Sequence, residues 1–266
     1  MSNNYQRLLN DYYRGKDIHP EDFNCKKQTT CRRYAYLGNM TETKMSMVGS
    51  RYGEMYPKIV IVSLDPPSGE KKDNTPKRWT FKTPEQRTTE YVAAIHEKDD
   101  YSMDRPNPHW AMTQIIVKDL LTLWGYEAQP YAAVVLEKFL GHPIENVSAY
   151  FAHVNVAKCS MNNPNQNQAS PAVHNTCSNA YLRDELIILE PDILITQGVT
   201  TNKILGKMLV GRESLLIDLP KTETITLGGK QILWMPMHHP TGQLDKVRDF
   251  WHIYLRAAKV WAKKIT

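Results

Sequence analysis

An apolar run that stops at an acid and two prolines constrains this chain more than any other feature. In KIVIVSLDPPSG, residues 58–69, five of the first seven positions are apolar and no period-2 alternation interrupts them. A strand with one wet face alternates, whereas a strand covered on both faces does not, so this segment reads as a central strand of a buried, parallel-type sheet. Pro66 and Pro67 cannot donate to a sheet ladder and hold the preceding backbone extended, which ends the strand at Asp65. Open α/β sheets gather ligands at the carboxyl ends of their strands, making Asp65 a candidate functional carboxylate. An Asp before Pro also serves as an ordinary turn former.

Three further apolar runs repeat the pattern: residues 149–156 with Asn155 near their end, 192–196 running into Gly198, and 231–237 leading into His238, His239, Pro240, Thr241 and Gly242. Helical spacing is expected between and around them, at 3–14, 84–98, 108–125, 131–140, 177–189, the stretch after Gly198, and 243–264. Residues 214–227 alternate enough for a small hairpin, with Gly228 and Gly229 turning into the last strand. Strands alternating with helices predict an α/β fold, a three-layer α/β/α sandwich on a central, mainly parallel four-stranded sheet. The 266 residues suit a single domain over 1–266, carrying a polar insertion at about 68–104 that is long for a passive connection.

The net charge of +5 suits a partner that carries phosphates. No run of 18 apolar residues exists, so no membrane span is expected, and the polar start MSNNYQRLLNDYYRG predicts a cytoplasmic location. In a reducing compartment the four cysteines are poor candidates for disulfides. Cys25 and Cys31 are spaced C-x5-C, and Cys159 and Cys177 are spaced C-x17-C. Two separated pairs form a metal-ligand pattern, though wider than the paired CxxC of zinc ribbons. Four thiols packed as small hydrophobes is the alternative. In a parallel sheet the carboxyl ends of all strands share one edge, so Asp65, Asn155 and His239 are expected to line a common crevice as an acid, an amide and an imidazole.

NVAKCSMNNPNQ, the later Cys177, EPDILITQGVTTNKILG and the terminal HPTG together resemble the iron–sulfur branch of the uracil-DNA glycosylase superfamily. In that branch an Asn-bearing strand runs into Lys-Cys, and a strand–turn–helix with a Gly at the turn follows. SLDPP resembles the superfamily's first motif, whose third position is Asp in the classical uracil enzymes and a small residue in many iron–sulfur members, and HPTG resembles the His-Pro-Ser or His-Pro-Ala motif. The resemblance runs from about Cys25 to the last helix.

It implies a monofunctional DNA glycosylase that flips a pyrimidine out of DNA and hydrolyses its N-glycosidic bond, leaving an abasic site. Asp65 would stabilise the positive charge developing on the sugar and orient the attacking water, and His239 would donate to the base oxygen as the base leaves. Asn155 would read the Watson–Crick edge, Leu64 and Pro66 would flank the base, and Trp79 or Phe81 would stack on it. Gln243 or Leu244 would enter the duplex as a wedge, and Lys158, Thr241 and Arg78 would contact DNA, alongside Lys26, Lys27, Arg32, Arg33, Lys71, Lys72 and Lys77. Cys25, Cys31, Cys159 and Cys177 would hold a 4Fe–4S cluster with a structural or DNA-positioning role. The C-x5-C spacing departs from the branch's usual C-x2-C and keeps zinc as the second option.

The substrate implied is uracil, in repair, or a bulky 5-modified cytosine such as glucosylated hydroxymethylcytosine of phage DNA, in anti-phage defence. Pro67 and Ser68 stand where the classical uracil enzymes carry a Tyr that excludes 5-substituents, and the insertion either lines a larger pocket or is a solvated lid. No Lys stands at a strand end for Schiff-base chemistry, so lyase activity is not expected. The alternative is a catalytically silent iron–sulfur protein that binds DNA. In either case the partner is DNA, with no membrane and no protein partner implied.

Overall fold

The computed structural model describes residues 4–35, 40, 43–64, 108–125, 147–161, 169–211, 221–240 and 243–265. The polar insertion at 68–104, with its expected helix at 84–98, and the expected helix at 131–140 lie outside them. Among the described residues one sheet runs through the structure, built from β1 (Met47–Val48), β2 (Ile59–Ser63), β3 (Phe151–Asn155), β4 (Ile193–Gln197), β5 (Glu223–Leu227) and β6 (Lys230–Met237). Their spatial order is β1-β3-β2-β4-β6-β5. The four expected strands are the four parallel neighbours, β3, β2, β4 and β6. Every residue of β2, β3 and β4 is buried, which is why their sequences are unbroken apolar runs.

The expectation of four strands is corrected to six, because each edge carries an antiparallel strand. β1 pairs with β3 through Met47 opposite His153 and Val48 opposite Ala152. β5 turns through Gly228 and Gly229, with φ of 57° and 84°, and pairs with β6. The hairpin expected within 214–227 is therefore completed by the last strand. Ile225 and Leu227 face the core while Thr224 and Thr226 face out, the one-sided alternation of an edge strand.

Helices lie against both faces of this sheet. On one face Ile59, Ile61, Phe151 and Ile195 pack against α3 (Pro108–Thr122) and α7 (Leu244–Ile265), through residues such as Ile116, Leu120, Trp251 and Tyr254. On the other, Val60, Val62, Val154 and Trp234 pack against α1 (Asn4–Gly15), α4 (Pro171–Cys177), α5 (Arg183–Leu189) and α6 (Val199–Val210). Each fully buried Val or Ile contributes about 1.5–3 kcal/mol through lost apolar hydration. Local signals set the helix starts: Pro171 occupies the first turn of α4, and Ser170 Oγ accepts the Val173 N–H at 3.4 Å. No helix among the described residues is long and apolar enough to cross a membrane.

Candidate active site and cysteine cluster

At the carboxyl edge the parallel strands end, in spatial order, at Asn155, at Ser63 and Leu64, at Gln197 and Gly198, and at Met237 before His238 and His239. Asn155 lies directly opposite Ser63, and Gln197 opposite Met237. Three interstrand spacings of about 4.8 Å separate the ends of β3 and β6, roughly 14 Å between backbones. Of the residues expected here, Asn155 and Leu64 are buried at this edge and His239 is half-buried beside it. Gln243 is exposed at the start of α7, where its N–H donates to the His239 carbonyl at 3.0 Å. Asp65, Pro66, Arg78, Trp79, Phe81 and Thr241 lie outside the described residues, as does the side chain of Leu244.

Strand alternation places Ser63, His153, Asn155 and Gln197 on the face that looks toward α3. Beneath the edge they form a buried polar chain. His153 Nε2 is 2.9 Å from Ser63 Oγ, Ser63 donates to Gln197 Oε1 at 3.1 Å, and Gln197 Nε2 donates to Thr113 Oγ1 of α3 at 3.0 Å. With the hydroxyl proton directed at Gln197, the Nε2 of His153 carries the ring N–H that Ser63 accepts. This chain ties the ends of three strands to one helix. Its sequence signal was a polar residue at alternate positions near the end of each apolar run.

His239 is placed by the turn between β4 and α6. Gly198 there has φ of 103°, and a Cβ on it would stand 3.5 Å from the His239 Cβ. The turn is held by Gly198 N–H donating to the Met237 carbonyl at 2.9 Å and by Asn202 Nδ2 donating to the same oxygen at 3.1 Å. Asn202 is fixed in turn by Thr196 Oγ1 at 2.6 Å, which accepts from Trp234 Nε1 at 3.0 Å. Burial holds the His239 imidazole below its ordinary pKa of 6.5, so near neutral pH it is uncharged. A neutral ring offers one N–H to an oxygen whose charge appears only as a bond breaks. Gly198→Ala forces a side chain into left-handed backbone and is expected to cost about 1–3 kcal/mol of stability, read by urea denaturation.

The four cysteines all lie in the core on the opposite face of the sheet. Cys25 follows α1, Cys31 lies in α2 (Gln28–Arg32), Cys159 follows β3, and Cys177 is the last residue of α4. All four are buried in one apolar core, and none is in a disulfide. Burial pushes up the thiols of Cys31 and Cys159 and takes Cys177 to about 12. The thiols also act on one another, Cys25 on Cys31 and both Cys177 and Cys25 on Cys159, so they share one electrostatic neighbourhood. Ionising this set without a nearby cation is costly, and a bound metal centre relieves that cost. Among the described residues no group of three or more His, Cys, Asp and Glu is placed to hold a metal ion.

Lys158 requires a correction. It is 2% exposed, and its ammonium is held by the Glu185 carboxylate and by the Asn155 carbonyl at 2.6 Å. A phosphate cannot reach it, so the expected DNA contact gives way to a buried ion pair. Glu185, fully buried, also accepts from Tyr13 and lies 3.5 Å from Ser46 Oγ. Burial raises the Glu185 carboxyl, and the Lys158 ammonium with the two hydroxyls offsets part of that rise. A lysine beside a cysteine in a polar stretch looks solvated; its partner lies 27 positions later. Lys26, Lys27, Arg32 and Arg33 are exposed around α2. No protein-family model matches this chain and no curated protein matches it, so the functional reading rests on its own residues.

Proposed function

We propose that this chain is a monofunctional DNA glycosylase carrying a 4Fe–4S cluster, built on a three-layer α/β/α sandwich. It would hold a pyrimidine extruded from DNA and hydrolyse the N-glycosidic bond. The observation that carries the reading is the placement of Asn155 and His239 at one carboxyl edge of the parallel sheet, with the end of β2 between them.

In this reading the Asn155 amide offers a donor and an acceptor to the Watson–Crick edge of the flipped base. As the bond from the sugar C1′ to the base nitrogen breaks, its electron pair leaves with the base, and the base oxygen gains charge. The neutral His239 N–H donates to that oxygen. Asp65, one position after Leu64 in the sequence, would stabilise the positive charge left on the sugar and orient the water whose oxygen bonds to C1′. One water proton passes to the carboxylate and on to solvent, and the departing base takes a proton from solvent. Both side chains act on charge present only in the transition state, where each is worth a few kcal/mol.

Four cysteine thiolates are a sufficient donor set for the cluster. Zinc suits the site less well. The C-x5-C and C-x17-C spacings are wider than the paired CxxC of zinc ribbons. When bound, the cluster would clamp the 25–31 segment to the 159–177 segment and present Lys26, Lys27, Arg32 and Arg33 to the DNA backbone.

The purified protein is expected to be brown, with about four irons per chain, and Cys159→Ser to remove the colour. A colourless protein with stoichiometric zinc overturns the cluster. Incubation with DNA containing uracil, 5-hydroxymethylcytosine or its glucosylated form is expected to leave alkali-labile abasic sites in one of these substrates, which names the base. Intact DNA in every case overturns the glycosylase and leaves the silent DNA-binding protein.

A further inference from the structure

A π-helical turn, Ser178–Leu182, separates α4 from α5 directly after Cys177. Such turns admit an extra residue, redirect the side chains around it and concentrate at functional sites. This one carries Tyr181, four residues beyond Cys177 and on the same side of the helix. Its hydroxyl reaches across the cysteine set, where Tyr181 Oη stands 3.2 Å from Cys25 Sγ. The same sulfur accepts the Lys27 backbone N–H at 3.4 Å. Tyr181 is 7% exposed, so little water competes for the contact. The turn is braced from behind by Tyr12 of α1, whose Oη is 3.2 Å from both the Tyr181 carbonyl oxygen and the Asp184 carboxylate.

A cysteine that binds metal is a thiolate and can only accept, so the phenol must be the donor in this pair. Donation draws electron density away from sulfur and favours the more negative, reduced state of a cluster; hydrogen bonds to sulfur are one of the levers that set cluster potentials. We infer that Tyr181 is a positioning and tuning residue that sets the electronic state of the cysteine-bound cluster through its hydrogen bond to Cys25. The inference rests on the cluster reading above. It also gives the π-turn a purpose: phenylalanine would supply the same ring, and the hydroxyl is what forms the hydrogen bond with the Cys25 sulfur.

The test uses the full chain, purified without oxygen, with iron content and an electrode titration as readouts. Tyr181→Phe is expected to keep its iron while the ratio of reduced to oxidised cluster at a fixed electrode poise falls about tenfold, equivalent to about 59 mV for one electron. Its Fe–S stretching band in resonance Raman spectra should rise in frequency. Tyr181→3-fluorotyrosine, a stronger donor of nearly the same shape, should move the ratio the other way and remains readable if the phenylalanine variant does not fold. Wild-type protein without iron overturns the cluster reading itself. Iron-loaded protein whose ratio and Raman band stay the same in the variants overturns only the role of Tyr181.

Discussion

If the chain is the glycosylase proposed, replacing His239 with alanine is expected to lower the rate of base excision by about 10²–10³-fold and to leave DNA binding nearly intact. The size of the loss follows from where the ring sits and what charge it carries. Burial keeps the imidazole neutral, and the tight turn at Gly198 fixes the backbone next to it. A donor that meets substrate charge only as the bond breaks contributes little to ground-state binding, so the loss falls on the chemical step. Single-turnover kinetics separate the two: the rate constant for base release drops while the dissociation constant for uncleaved DNA changes little. Asp65→Ala should behave in the same way. Full excision by either variant removes the assignment.

Breaking the Lys158–Glu185 pair from one side destabilises the protein by about 3–5 kcal/mol, because the surviving charge is left without its partner inside the core. Lys158→Met leaves the Glu185 carboxylate among Tyr13 and Ser46, and Glu185→Leu leaves an ammonium with only the Asn155 carbonyl. The double variant Lys158→Met/Glu185→Leu removes both charges and should recover much of the loss seen in either single change. Urea denaturation of the four proteins gives the cycle directly. If the two single losses simply add in the double variant, the ion pair is not what holds the β3 loop to α5.

The centre of the fold was legible because covered strands leave an unmistakable trace. β2, β3, β4 and β6 each needed apolar residues on two faces, and their runs stood out. The edges did not: β1 is two residues long, too short for any period to show. The alternation that marks β5 carries no label for its partner, so the hairpin was drawn too locally. At the candidate site, Asn155 was visible near the end of one apolar run and His239 just past the end of another. His153 is hidden because one polar residue inside such a run disappears into its average hydrophobicity, and Gln197, next to Gly198, reads as part of the turn. Lys158 was misjudged because sequence neighbours say nothing about a carboxylate delivered by another helix.

The hydrogen-bond chain beneath the edge also bears on how such a protein diversifies. The long polar segment leaves the sheet after Leu64 and rejoins the described structure as α3, whose Thr113 returns through Gln197 to Ser63. Both stems of the excursion are thereby stapled to the same few ångströms of scaffold. Anything between them can lengthen, shorten or change composition while the anchoring points stay put.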